Sequence, residues 1–232
     1  MTLPAAAGAG DRRALLMDYG GVLTEPVQES FARYEAALGV RPGDSYAVLR
    51  AAAQDEEGGM IGALERGEVS VEEFDAHLQR LLRDAGYQVA EGTGLLEGLF
   101  AAMRPAGGLW GLVDEVRRAG VHTGLLSNSW GLSAYPFERL GRSFDTIVLS
   151  GEVGLRKPDA RIFELAVDRV GLPAASCVFV DDLEPNVTAA IGFGLRGVHH
   201  RGDDHATRSA VLEALGLPLP PGGSGWGSGP PD

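Results

Sequence analysis

The chain has 232 residues, 44% of them hydrophobic and 22% charged, enough to bury one large core or one core with a small satellite. A net charge of −12 with no cluster of Lys and Arg argues against a nucleic-acid backbone as partner, and no apolar run approaches the ~20 residues of a membrane-spanning helix. Cys177 is the single cysteine, which excludes an internal disulfide, and residues 1–10 lack the basic and apolar regions of a secretory leader, so the expected location is the cytoplasm.

In chain order, the first strand signal is the unbroken apolar run Ala14-Leu15-Leu16-Met17, which ends on Asp18 and a loop containing Gly20-Gly21. A run without polar alternation belongs to a strand covered on both faces. Residues 25–105 then show no convincing strand and at least three amphipathic helices, which predicts an inserted helical cap. Its clearest helix begins at Ser70-Val71-Glu72-Glu73, where Ser70 and Glu73 can satisfy each other's backbone donors, and continues with Phe74, Leu78, Leu81 and Leu82 on one face.

Apolar runs return at 123–126, 146–149, 177–180 and 197–200, alternating with helices predicted at 109–119, 132–140, 160–170, 185–192 and 205–215. Gly120 and Gly171 follow two of these helices as C-terminal stops, and Pro185 suits the first turn of another. The alternation predicts an α/β fold: a Rossmann-like, three-layer parallel sheet core from residues 11–24 and 106–216, interrupted by the cap at 25–105. Residues 217–232, rich in Gly, Pro and Ser, are expected to form a disordered tail in which Trp226 is incidental.

In an open parallel sheet, ligands sit beyond the carboxyl ends of the strands. Asp18 ends the first run, Ser127 and Asn128 the second, Lys157 follows the third, and Asp181 and Asp182 end the fourth. Any one of these is an ordinary turn or loop residue, but their order, each at a strand end, gathers carboxylates, a hydroxyl and an ammonium at one sheet edge. Carboxylates so close would repel one another and an anionic substrate unless a hard cation lay among them. Asn186, just past Asp182, suits helix capping as well as a site role.

These residues resemble the haloacid dehalogenase-like superfamily. Its four motifs are matched by 16–24 (Leu-Met-Asp-Tyr-Gly-Gly-Val-Leu-Thr), 125–129 (Leu-Leu-Ser-Asn-Ser), 156–159 (Arg-Lys-Pro-Asp) and 178–186 (Val-Phe-Val-Asp-Asp-Leu-Glu-Pro-Asn), and the insert matches its C1-type helical cap. The stretch 65–70 is similar to one that leads into a cap helix in this branch. The resemblance spans about residues 14–216 and implies a Mg2+-dependent hydrolase, a phosphatase of a small phosphorylated metabolite. Asp18 would be the nucleophile, and Asp18, the Gly20 carbonyl and Asp182 the Mg2+ ligands, with Asp181 beside them. Lys157 would neutralise charge, and Ser127 and Asn128 would hold phosphoryl oxygens. An aspartyl-phosphate intermediate splits one hard step into two easier ones.

One position departs from that pattern. Most phosphatases of the family carry a second Asp two residues after the nucleophile, as general acid and base; here it is Gly20. Such help typically contributes ~100- to 10,000-fold, so a substrate with a good leaving group, such as an anomeric sugar phosphate or an acyl phosphate, is expected. The same glycine leaves two alternatives: a weakly active or non-catalytic ligand-binding protein, and a metal-independent haloacid dehalogenase. The Asp181-Asp182 pair stands against the latter, since it would repel a carboxylate substrate.

Other residues have ordinary readings. Adjacent His199 and His200 point to opposite faces of a strand and cannot easily share an ion. Trp130 suits packing as well as pocket lining, Arg33 and Arg66 are read as solvated charges of the cap, and Tyr19 is expected at the cap interface. The cap's hinge is expected near residues 24–26 and 104–108.

Overall fold

A computed structural model describes residues 12–38, 40–52, 59–89, 92, 94–133 and 135–219. The expected disorder of the tail and the role of Trp226 therefore fall on 220–232, outside the described residues, as does the segment 1–10. Among the described residues no helix is long and apolar enough to cross a membrane.

Five strands form one parallel sheet: β1 (Ala14–Met17), β2 (His122–Ser127), β3 (Thr146–Leu149), β4 (Cys177–Asp181) and β5 (Arg196–His199), in the spatial order β3-β2-β1-β4-β5. The order places β1 at the centre, with its register partners Leu125 on one side of Met17 and Val180 on the other. Successive residues of β1 enter opposite layers, as strand geometry requires. Leu15 and Met17 pack under α6 (Gly107–Arg118) and α11 (Asp204–Leu215); Ala14 and Leu16 pack under α9 (Ala160–Val170) and α10 (Glu184–Phe193). Burial on both faces explains why the strands read as continuous apolar runs.

The helix predicted at 132–140 is shorter and later: α7 spans Phe137–Ser143, with Pro136 at its start. Proline disfavours the helical region for the residue before it, so Tyr135 stays outside the helix and is free to turn inward. α8 (Ser150–Val153) is a single turn after β3 and ends on left-handed Gly154. Gly171 stops α9 in the left-handed region, as expected, and Pro185 lies in the first turn of α10.

Between β1 and α6 lie α1 (Val27–Leu38), α2 (Asp44–Ala52), α3 (Gly59–Glu65), α4 (Val71–Asp84) and α5 (Leu95–Ala102). They share a core of their own, including Phe31, Phe74, Leu78, Leu82, Leu96 and Leu99. Burial of each such side chain contributes about 1.5–3 kcal/mol, so the cluster outweighs the weak propensity of these short helices. The capping box of α4 is formed: Glu73 N–H donates to Ser70 Oγ at 3.1 Å and Ser70 N–H to Glu73 Oε2 at 2.8 Å.

The insertion leaves and rejoins the sheet layer through adjacent segments. Thr24 and Pro105 form an antiparallel bridge, Glu25 N–H donates to the Arg104 carbonyl at 2.9 Å, and Ala106 N–H to the Leu23 carbonyl at 2.9 Å. These paired segments coincide with the stretches expected to hinge.

Candidate active site

Asp18 follows the last residue of the central strand, and its backbone is pinned by donation of its N–H to the Val180 carbonyl at 2.9 Å. The chain then turns sharply: the Tyr19 carbonyl accepts from Leu23 N–H at 2.8 Å and Thr24 N–H at 3.1 Å. Gly21 holds φ +76°, and a Cβ there would lie 2.4 Å from Asp182 Oδ2, so only glycine fits beside that carboxylate. Gly20 differs. Its φ is not in the left-handed region, and a Cβ would meet only Val27 Cγ2, at 3.3 Å.

Carboxylate oxygens of Asp18, Asp181 and Asp182 lie within 4.8 Å of one another. Lys157, 1% exposed, sits between two of them, its Nζ 2.7 Å from Asp18 Oδ1 and 2.6 Å from Asp181 Oδ2. Three carboxylates thus face one ammonium. Burial, only partly offset by Lys157 and reinforced by Asp181 and Asp182, pushes the Asp18 carboxyl up to about 7. Burial and Asp181 push Asp182 up to about 6. Burial would lower Lys157, but Asp18 and Asp181 outweigh it and hold the ammonium at about 12. A site that raises two carboxyls in this way is short of positive charge, and its hard oxygen donors fit a hard divalent cation.

The two adjacent aspartates divide the work. Asp181 is fully buried, and its oxygens accept from Lys157 Nζ, from Asn186 Nδ2 at 3.0 and 3.1 Å, and from Leu183 N–H at 2.8 Å. Asp182 lines the cavity beside Asp18 and Gly20. Asp181 is therefore an anchor for Lys157, and Asp182 is the carboxylate that faces the cavity. Asn186, in the first turn of α10 but not its cap, bonds its side chain to Asp181.

Ser127 ends β2, and its Oγ is 2.8 Å from the hydroxyl of Tyr135, which is buried against Tyr19 with ring centroids 4.7 Å apart. Burial, opposed by the bond to Ser127, raises the Tyr135 phenol well above its ordinary range, so it stays protonated. The side chain of Asn128 clamps the backbone of Lys157: Lys157 N–H donates to Oδ1 at 2.8 Å and Nδ2 donates to the Lys157 carbonyl at 3.0 Å. Asn128, expected to hold phosphoryl oxygens, lines the cavity, and its side-chain amide places the lysine. His199 and His200 part as strand neighbours must, His199 Nε2 to the Asp182 carbonyl at 3.0 Å and His200 Nδ1 to Thr207 Oγ1 at 2.8 Å.

The helical insertion closes over these residues through Glu65, at the end of α3. Its carboxylate is 2.6 Å from Arg156 Nε and accepts from Trp130 Nε1 at 3.0 Å and Asn128 Nδ2 at 3.3 Å. Next to it Gly67, at φ +70°, lies so close to the Gly151 carbonyl that a Cβ would stand 2.4 Å away. Trp130 both lines the cavity and packs on Phe31 and Phe74 of the insertion. Arg33 pairs with Glu25 and Arg66 with Glu68, and neither arginine lines the cavity. Neither Glu65 nor Tyr135 is among the sequence candidates: one sits far along the chain, the other inside a helix predicted too early. The cavity beneath the insertion, about 170 Å³, is lined by Asp18, Gly20, Ser127, Lys157 and Asp182 on the sheet side.

Comparison with known proteins accords with this geometry. The profile of haloacid dehalogenase-like hydrolases matches residues 12–194. Acyl-CoA dehydrogenase family member 10 of Mus musculus is 28% identical over 226 residues, 92% of this chain and 20% of that protein. Pyrimidine 5′-nucleotidase YjjG of Escherichia coli is 33% identical over 108 residues, 42% of this chain and 47% of that protein. The chain thus spans less than two thirds of either relative. A predicted HAD-like family hydrolase from Porphyromonas gingivalis shares the fold at TM-score 0.64 and 24% identity, covering 88% of this chain and 98% of that one.

Proposed function

Because the chain belongs to the haloacid dehalogenase-like hydrolases, we propose that it is a Mg2+-dependent phosphatase of small phosphate monoesters, working through phosphorylated Asp18 in the cytoplasm. The observation that carries the reading is the set of three carboxylates around Lys157 at the end of the central strand, with Asp18 and Asp182 lining one cavity. Asp18, Asp182 and the Gly20 carbonyl would hold the cation. When bound, Mg2+ supplies the positive charge that lets Asp18 ionise and that draws phosphoryl oxygens toward the nucleophile. The single cysteine, buried and with its thiol pushed up to about 11 by burial, suits a reducing compartment.

In the first step an Asp18 oxygen attacks phosphorus and the bond to the leaving oxygen breaks, while Lys157 and the Ser127 hydroxyl face the charge on the phosphoryl group. In the second, water attacks phosphorus and restores the Asp18 carboxylate. Gly20 carries no acid to protonate the leaving oxygen, so the substrate's own leaving group governs the first step. The same glycine supports a second reading, a binding protein with little turnover.

Release of phosphate and of halide distinguishes the readings, measured on phosphate monoesters and on 2-chloropropionate with Mg2+ and with chelator. Phosphate released only with Mg2+ is expected. Chelator-resistant halide release would replace the reading with dehalogenation, and phosphate binding without turnover would favour the binding protein.

A further inference from the structure

The organic part of the substrate must occupy the space between the reacting end of the cavity and the helical insertion. That space is walled by Val27, Leu99, Phe100 and Met103 from the insertion and by Trp130 and Tyr135 from the sheet side. Apolar walls reward burial of hydrocarbon, and a methionine among aromatic rings adapts to its shape. A dry cavity of ~150 Å³ takes up a benzene ring, so a volume of about 170 Å³ sets the scale at a ring or a short chain.

Polar side chains that the insertion brings to this space are few, and they are partly engaged within the protein. Gln28 Nε2 donates to the Tyr46 hydroxyl at 2.9 Å, and the Glu65 carboxylate receives donors from Arg156, Trp130 and Asn128. A sugar ring would find few partners there for its several hydroxyls, whose desolvation would go partly uncompensated. Charge excludes more. Among the described residues Lys157 is the single Lys or Arg lining the cavity, and its Nζ lies between Asp18 and Asp181, while the lining residue Glu65 holds Arg156 outside it. A second phosphate or a carboxylate on the substrate would find no unengaged cation among the described lining residues.

Resting on the phosphatase reading above, we propose that the preferred substrates are monophosphates with one anionic group and an apolar organic part whose oxygen leaves without protonation, phenols before saturated alcohols, and that polar sugar phosphates and nucleotides bind less well.

Non-hydrolysable phosphonates separate binding from turnover. With the full chain in saturating Mg2+, calorimetric titration with inorganic phosphate and with n-alkylphosphonates from methyl to hexyl should show Kd falling roughly fourfold per methylene until the cavity is filled. Phenylphosphonate should bind more tightly than methylphosphonate, and glucose 6-phosphate no more tightly than inorganic phosphate. Phe100→Ser should flatten the chain-length dependence, and Met103→Gln provides the same test if that variant does not fold. Phosphate binding with no dependence on chain length, or a preference for glucose 6-phosphate, overturns the hydrocarbon class and leaves the phosphatase reading standing. Failure of Mg2+-dependent binding by phosphate and every phosphonate overturns both.

Discussion

Replacing Lys157 by Met tests the electrostatics of the site apart from its chemistry. The ammonium is 1% exposed and lies 2.7 Å from Asp18 and 2.6 Å from Asp181, so methionine fills much of its volume and leaves two buried carboxylates without their cation. Breaking a buried ion pair from one side typically costs ~3–5 kcal/mol. For a chain of this size each kcal/mol moves the melting temperature by roughly 2–4 °C, which predicts a fall of ~6–20 °C at pH 8 in chelator. The cost depends on pH in a definite direction. Burial already holds the Asp18 carboxyl at about 7, above its ordinary value, so the folded state binds more protons than the unfolded one between the two values and loses stability as pH rises through that window. Removing Lys157 raises the carboxyl further. The penalty of Lys157→Met should therefore be largest at pH 8 and shrink at pH 5.5, where Asp18 already carries its proton. Thermal melts of both proteins at the two pH values measure it; equal penalties, or a difference of less than about 2 °C at pH 8, would refute the reasoning.

Three further substitutions probe other parts of the account. Gly20→Asp needs only a small adjustment of Val27, and should raise turnover of alkyl phosphates by ~100-fold or more while changing 4-nitrophenyl phosphate far less, since that leaving group needs no proton; parallel kcat measurements decide, and equal changes would remove the leaving-group argument. Tyr135→Phe deletes the hydroxyl 2.8 Å from Ser127 Oγ and should lower kcat about fivefold with a smaller change in KM, if Tyr135 positions the serine. Glu65→Gln weakens the charge-assisted contact with Arg156 and should raise KM about tenfold with a change in Trp130 fluorescence; an unchanged KM and spectrum would mean that Glu65 does not hold the insertion closed.

The sheet was legible because its strands are buried on both faces: the runs at 14–17 and 146–149 coincide with β1 and β3, and Asp18, Ser127, Lys157 and Asp182 line one cavity at their ends. The three-residue spacing between Ser70 and its capping partner Glu73 made α4 equally readable. What stayed hidden depends on long-range placement. Tyr135 reaches Ser127 only because Pro136 delays α7, and Glu65 meets Arg156 across 91 positions of chain. Periodicity carries no information about such partners. The roles of Asp181 and Asp182 were equally undecidable from adjacency, because strand alternation sends one toward Lys157 and Asn186 and leaves the other facing the cavity.

The most direct test of the central claim is acid quenching of a reaction with phenyl phosphate and Mg2+, followed by mass spectrometry of the peptide that carries Asp18. The account predicts a phosphorylated Asp18 that disappears with chelator and is absent from Asp18→Asn. Turnover with no phosphorylated aspartate, or phosphate release that survives in Asp18→Asn, would contradict it.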